Sequence, residues 1–235
     1  MADFLLIHGS CHGAWCWRDL IPELNALGHN ARAIDLPGHG GDVTPISDIT
    51  LQSYVDAILS AIRTPVVLVG HSMAGFPISL AVEQAPDKIS RLIYLCAYVP
   101  EGTLTLAEMR RRSPEQPLVD AIVRSEDRKS FWVDPAQVEK TFYHDCPEGT
   151  VAYANIRLCP QPILPQDTPC PLGKAYASVP RSYIRCTDDR TIPPAAQVEM
   201  TQGWPERDVF ELPTGHSPFF ADPKGLAALL HRIAG

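Results

Sequence analysis

Ser72 lies in Gly70-His-Ser-Met-Ala-Gly75, directly after the apolar run Pro65-Val-Val-Leu-Val69 and at the start of a helical pattern. A strand that turns into a helix this abruptly holds the serine backbone in a strained conformation and lifts its hydroxyl clear of the sheet, where it can act as a nucleophile. The common pattern for such an elbow is G-x-S-x-G. Here Ala74 takes the last position and Gly75 follows it, so the helix start stays uncrowded. A serine nucleophile needs a base, and the base needs an acid to fix its tautomer and stabilise its cation. His216 and Asp189 are those types, and the order serine, acid, histidine is the one that a strand-to-helix elbow uses. Asp189 follows the strand-like run Arg181–Cys186, and His216 follows Asp208–Leu212 through the turn Pro213-Thr-Gly215. Both therefore project from carboxyl ends of strands, the edge where open parallel sheets bind ligands. Asp188, beside Asp189, and Glu101, after the fourth strand-like run, are alternative acids. Asp35 reads as a residue that fixes a glycine turn. His71 reads as a shaper of the elbow whose side chain points away from the reacting carbonyl.

Attack on a carbonyl builds negative charge on its oxygen, and backbone N–H groups aimed at that point are each worth about 2.7 to 4 kcal/mol. Met73, the residue after the nucleophile, is one expected donor. The other is Ser10, where the strand-like run Phe4-Leu-Leu-Ile7 breaks into a glycine-containing loop.

These residues must be held by a sheet. Strand-like runs at 3–8, 31–36, 65–70, 91–97, 181–187 and 207–212 alternate with helical patterns near 15–27, 51–63, 74–85, 194–203 and 223–233. Such alternation predicts an α/β fold with a mostly parallel sheet of about six strands and helices on both faces. Between Ala97 and Arg181 the rhythm fails for about eighty residues, too many for a simple strand-to-helix connection. The expectation is one domain, with a core built from residues 1–100 and 181–235 and a cap formed by residues 101–180. The cap stretch is rich in aromatic residues, and Trp132, Phe142 and Tyr143 are candidates for the substrate pocket, as is Phe219 behind His216.

Bulk properties narrow the chemistry further. The chain has 235 residues, 45% of them apolar, which is enough for one sizeable core. A net charge of −7 and a pI near 5.6 argue against nucleic acid or an anionic membrane as the main partner. The one dense basic run, Arg110-Arg-Arg112, reads as a solvated helix face, with contact to an anionic substrate or a partner as the other reading. No charged leader or long apolar segment is present, and seven cysteines form no C-x-x-C pair, so a soluble, cytoplasmic protein with reduced thiols is expected. Cys11 reads as a buried structural thiol. His8, Cys11 and His12 match no zinc spacing, and no glycine-rich phosphate loop occurs, so neither a metal nor any other cofactor is implied.

The stretches His8-Gly-Ser-Cys-His-Gly-Ala-Trp15, Val69-Gly-His-Ser-Met73, Tyr183–Pro193 and Gly215-His216 resemble the α/β-hydrolase family of plant methylesterases and hydroxynitrile lyases, with its bacterial esterase relatives. The stretches Asp134–Val138 and Asp145–Glu148 are more similar to the bacterial members, some of which hydrolyse pyrethroid-type esters. The resemblance runs from about residue 3 to 230. It implies an α/β-hydrolase fold and a serine esterase with Ser72, Asp189 and His216 as its triad, acting on a small-molecule ester. For assembly it implies a homodimer through the cap. Lyase members carry a threonine where Gly9 stands and a lysine where Ser217 stands, so this chain has no ammonium to hold a cyanide leaving group. Gly9 and Ser217 thereby join the pocket candidates. The expected activity is carboxylic ester hydrolysis through an acyl-enzyme on a small or medium, largely apolar ester. A lactonase, a C–C hydrolase, a cofactor-free lyase or dioxygenase, and a slow ligand-binding protein are the alternatives on the same scaffold.

Overall fold

The computed structural model describes residues 1–235. Strands β1 (Asp3–Ile7), β2 (Asn30–Ile34), β3 (Val66–His71) and β4 (Ile89–Leu95) come first. An insertion with β5 (Ile122–Arg124), β6 (Ser130–Val133) and β7 (Gln161–Pro162) follows, then β8 (Arg181–Cys186) and β9 (Val209–Leu212). The main sheet runs β2-β1-β3-β4-β8-β9, and every pairing in it is parallel. Its order reverses between β1 and β3, and a crevice at the carboxyl ends of the strands opens at that reversal. The loop after β1 carries Ser10 and the turn after β3 carries Ser72, one on each side of it.

The helices are α1 (Leu20–Ala26), α2 (Leu51–Ser60), α3 (Gly75–Gln84), α4 (Leu106–Arg112), α5 (Thr150–Asn155), α6 (Lys174–Ser178), α7 (Pro194–Met200), α8 (Pro218–Ala221) and α9 (Pro223–Ala234). They cover both faces of the sheet. Phe4, Leu6, Val67, Val69 and Ile93 point to one side with α1 and α9, in a core of 29 buried residues. Leu5, Ile7, Leu68, Leu92 and Tyr94 alternate with them toward α2 and α3, in a core of 27. The near-equal sizes explain why the central strands read as unbroken apolar runs: neither face meets water. The helix expected over 15–27 is interrupted. A short 3-10 turn at Ala14–Trp17 precedes α1, and Pro22, whose ring opposes the carbonyl four residues earlier, keeps a helix from running through Arg18. α2 begins with a reciprocal cap between Thr50 and Ser53.

Residues 96–180 connect β4 to β8. They hold α4, the antiparallel sheet β5-β6-β7, a wide helical turn at Glu139–Tyr143, α5 and α6. The last part returns to the main body, where Glu83 of α3 accepts hydrogen bonds from the Gly173 and Tyr176 amides, both at 2.8 Å. No helix is long and apolar enough to cross a membrane.

Candidate active site

Ser72 adopts φ +56°, the left-handed conformation of a sharp strand-to-helix turn, and a buried residue holds it only under the constraint of its surroundings. The Ser72 carbonyl accepts a hydrogen bond from the Tyr98 amide at 3.1 Å, which brings the chain after β4 against the elbow. A Cβ at position 75 would strike the Tyr98 carbonyl oxygen, so the glycine missing from position 74 is required one residue later. Ala74 is fully buried and fits as it stands.

The three predicted residues converge. Ser72 Oγ lies 3.1 Å from His216 Nε2, and His216 Nδ1 lies 2.8 Å from Asp189 Oδ2, with all three buried. Nδ1 donates to the carboxylate, so Nε2 is left as the acceptor of the serine proton. Asp189 is held on all sides: Oδ1 accepts from the amides of Thr191 and Ile192 at 2.7 and 2.9 Å, and Oδ2 also accepts from Gln197 Nε2 at 3.0 Å. Asp188 is exposed, and Glu101 is exposed beside Arg112 at 3.7 Å, so neither alternative acid reaches His216. Asp35 fixes loops by accepting from the Ala14 and Gly41 amides.

His71 makes no hydrogen bond to Ser72 Oγ, although it lines the same cavity. Its Nε2 donates to the His216 carbonyl at 2.7 Å, and burial, reinforced by His216 and His12, lowers its pKa well below the usual imidazole value. A neutral ring thus positions the backbone of the base. Phe142 stacks on the His216 ring at 5.8 Å and 24°. Thr191 Oγ1 donates to the Thr141 carbonyl at 2.6 Å, and the Gly215 amide to Asp145 Oδ2 at 2.5 Å, so the inserted segment is fastened beside both the acid and the base.

The opposite wall is the loop after β1. The Ser10 carbonyl accepts from His12 Nδ1 at 2.7 Å, and Ser10 Oγ accepts from Gln166 Nε2 at 2.9 Å. His12 Nε2 in turn accepts from the Tyr143 hydroxyl at 2.7 Å. Burial pushes the His12 pKa down to about 4, so its ring is neutral and can act as donor on one side and acceptor on the other. The Cys11 amide donates to Gln161 Oε1 at 3.2 Å, and its carbonyl accepts from the Cys159 amide at 3.0 Å. Sequence reasoning missed Gln161, Gln166, Gln197 and the role of His12. Neutral polar side chains that act at such sequence separations leave no local pattern to find.

Ser10, Met73, Ser72, His216 and Phe142 line one small cavity. The other pocket candidates do not line it. Gly9 sits behind the elbow, where a Cβ would come within 2.7 Å of His71 Nδ1 and 2.9 Å of Ser72 Cβ. A threonine there would crowd the nucleophile. Tyr143 is buried and spent on His12, Phe219 is packed between Trp17 and His71, and Ser217 is buried with its hydroxyl unpartnered. Trp132 is 38% exposed, because alternation along β6 buries Phe131 and Val133 and turns the indole outward. Arg110 departs from the solvated-face expectation: Arg111 and Arg112 are exposed, but Arg110 leans into the wall of the cavity.

Among groups able to bind a metal, His71, Cys96 and His216 bring ligand atoms within 4.8 Å of one another. Burial raises the Cys96 thiol well above its usual pKa, and both His216 nitrogens are engaged with Asp189 and Ser72, so an ion would have to break that pairing. His8 is turned elsewhere, donating to the Gly9 carbonyl and accepting from the Leu36 amide.

Comparison with known proteins bears on the family and the fold. Residues 4–229 match the model of the Alpha/beta hydrolase family. Methylesterase 3 of Arabidopsis thaliana is 31% identical over 98% of this chain and 95% of its own length. Salicylic acid-binding protein 2 of Nicotiana tabacum is 30% identical over 98% of this chain and 96% of its own length. Among solved structures, a pyrethroid hydrolase from Sphingobium faniae superposes with a TM-score of 0.87 at 29% identity, over 99% of this chain and 97% of that one. Polyneuridine aldehyde esterase superposes with a TM-score of 0.88 at 25% identity over both whole chains. The sheet order, the elbow and the matched span together establish that the chain belongs to the α/β-hydrolase family.

Proposed function

We propose that this protein is a cofactor-independent carboxylic ester hydrolase whose nucleophile is Ser72. The observation that carries the reading is the unbroken relay of Ser72 Oγ, His216 and Asp189, at 3.1 and 2.8 Å, beside a cavity that Ser10 and Met73 also line. Relatives named as methylesterases and a pyrethroid hydrolase support ester bonds as the target.

The geometry supplies each step. Ser72 attacks the ester carbonyl while His216 Nε2 takes its proton, and Asp189 stabilises the imidazolium through Nδ1. The backbone N–H groups of Ser10 and Met73 receive the charge that forms on the carbonyl oxygen. His216 then returns the proton to the departing alkoxide, which leaves an acyl-Ser72 and a free alcohol. Water, deprotonated by His216, attacks the acyl group and releases the carboxylic acid. The segment around Phe142 works as a cap in this scheme, since a ring stacked on the base keeps bulk water from it. Seven free thiols fit a reducing, cytoplasmic setting.

The test is hydrolysis of p-nitrophenyl esters from acetate to decanoate by the wild type and Ser72→Ala. The substitution is expected to cut kcat by about 10⁴-fold or more, and the chain-length profile reads the room inside the cavity. Equal rates in both proteins on every ester would remove the proposal.

A further inference from the structure

Three arginines close α4, and the fold separates them. Arg111 and Arg112 face solvent. Arg110 is mostly enclosed, its Nε is shielded from water without a hydrogen-bond partner, and it joins none of the ion pairs. It lines the cavity that holds Ser72 and His216 and also the adjoining groove that opens outward, with Tyr98, Leu118, Thr191 and Ile192 shared between the two. A guanidinium with its Nε shielded and unpaired, held at the edge of a cavity, is costly to keep, and a protein rarely keeps one unless something else completes it.

The inner cavity is lined by no aspartate or glutamate, and Asp167, the one carboxylate whose charge favours Arg110, is exposed and forms no ion pair with it. A neutral, wholly apolar ester would leave the charge as it stands. The outer groove carries Glu101, Glu115 and Glu199, with Glu101 next to Arg112. Those carboxylates would repel a polyanion along the groove but leave room for one compact negative group seated inside. A planar guanidinium meets a carboxylate through paired hydrogen bonds.

Resting on the esterase reading above, we propose that Arg110 is a specificity residue that binds a free carboxylate on the substrate. The preferred esters are then monoesters of dicarboxylic acids. The carboxylate anchors at Arg110 while the ester carbonyl lies at Ser72, and hydrolysis gives the diacid and an alcohol.

The experiment compares kcat/KM for monomethyl succinate, glutarate and adipate with that for neutral methyl esters of matched length. In the wild type at least one half-ester is preferred. Arg110→Gln lowers that preference ratio by about tenfold or more, mostly through KM. Arg110→Lys restores part of it, and Arg111→Gln, on the exposed side of the same helix, leaves the ratio unchanged. Calorimetric titration of Ser72→Ala with glutarate gives a readout independent of turnover, with binding weakened about tenfold when Arg110→Gln is added. A wild type that prefers the neutral ester at every length, or a ratio indifferent to Arg110→Gln, overturns the anchor while the esterase stands. Arg110-dependent glutarate binding without any ester turnover would uphold the anchor and sink the esterase. Neither binding nor turnover would remove both.

Discussion

The two walls of this site are built from different stock. On the acid side, the Asp189 carboxylate takes its hydrogen bonds from Thr191, Ile192, Gln197 and His216, all on segments that flank β8 and β9 of the main sheet. On the opposite side, that of the proposed oxyanion loop, Ser10 and Cys11 are tied to Gln161 and Gln166 directly and to Tyr143 through His12, side chains from the segment inserted after β4. The acid is therefore fixed by the part of the chain that makes the fold. The Ser10 loop is fixed by a part whose own sheet has strands of two to four residues. Such short strands contribute little stability of their own. The inserted segment thus positions the loop that carries Ser10, and in the proposed mechanism that loop is a catalytic wall.

The comparison is broken most directly at the acid. Asp189→Asn keeps the shape but can present an N–H to His216 Nδ1, which favours the tautomer that cannot take the serine proton. A loss of about 10⁴ in kcat on a neutral ester is expected. A loss below about tenfold would mean that the acid side does not carry the chemistry. Next in size is a matched pair. Gln197→Leu removes a donor to an ionised carboxylate, a bond of about 1.5 to 3 kcal/mol, and kcat should fall roughly ten- to a hundredfold. Gln166→Leu removes a neutral bond to Ser10 Oγ, and kcat should fall roughly two- to tenfold. Steady-state kinetics of the two variants, with circular dichroism to confirm folding, checks the order. A larger loss in Gln166→Leu would put the more sensitive wall on the inserted side.

The same division governs what could be read without coordinates. All six main strands were visible as strand-like runs, the central β1 and β3 as unbroken apolar ones because both faces of the sheet are buried there, and the elbow was visible because Gly70, Ser72 and Gly75 lie close together in the chain. Asp189 and His216 were legible through the strands they follow. The inserted segment gave only a length and a content of aromatic residues. Aromatic type does not say which way a ring points: Phe142 reaches His216, Tyr143 turns to His12, and Trp132 faces out. Arg110, Arg111 and Arg112 are chemically identical in sequence, and only the rotation of α4 against Tyr98 and Leu118 makes one of them different.

A last effect, smaller than those on kcat in that it leaves turnover at neutral pH untouched, is in the pH dependence of stability, and it belongs to the Ser10 side. Burial depresses His12 to about 4 in the folded protein, against an ordinary value of 6.5. Above pH 6.5 neither the folded nor the unfolded chain protonates it, so it adds no dependence. Between 6.5 and 4 the unfolded chain binds a proton that the folded chain refuses, and stability falls with pH by up to about 1.4 kcal/mol per unit. Below 4 the contribution levels off. Urea midpoints at pH 7, 6 and 5 should therefore decline in the wild type, with His8 and His71, also lowered by burial, adding to the slope. In His12→Asn, which keeps a donor and an acceptor, the slope should be shallower by about one proton. Parallel curves for the two proteins would show that His12 is not held neutral, and the link from Tyr143 through His12 to Ser10 would then lose its acceptor. A shallower curve would fix the imidazole as the neutral bridge that lets an inserted tyrosine hold a core loop in place.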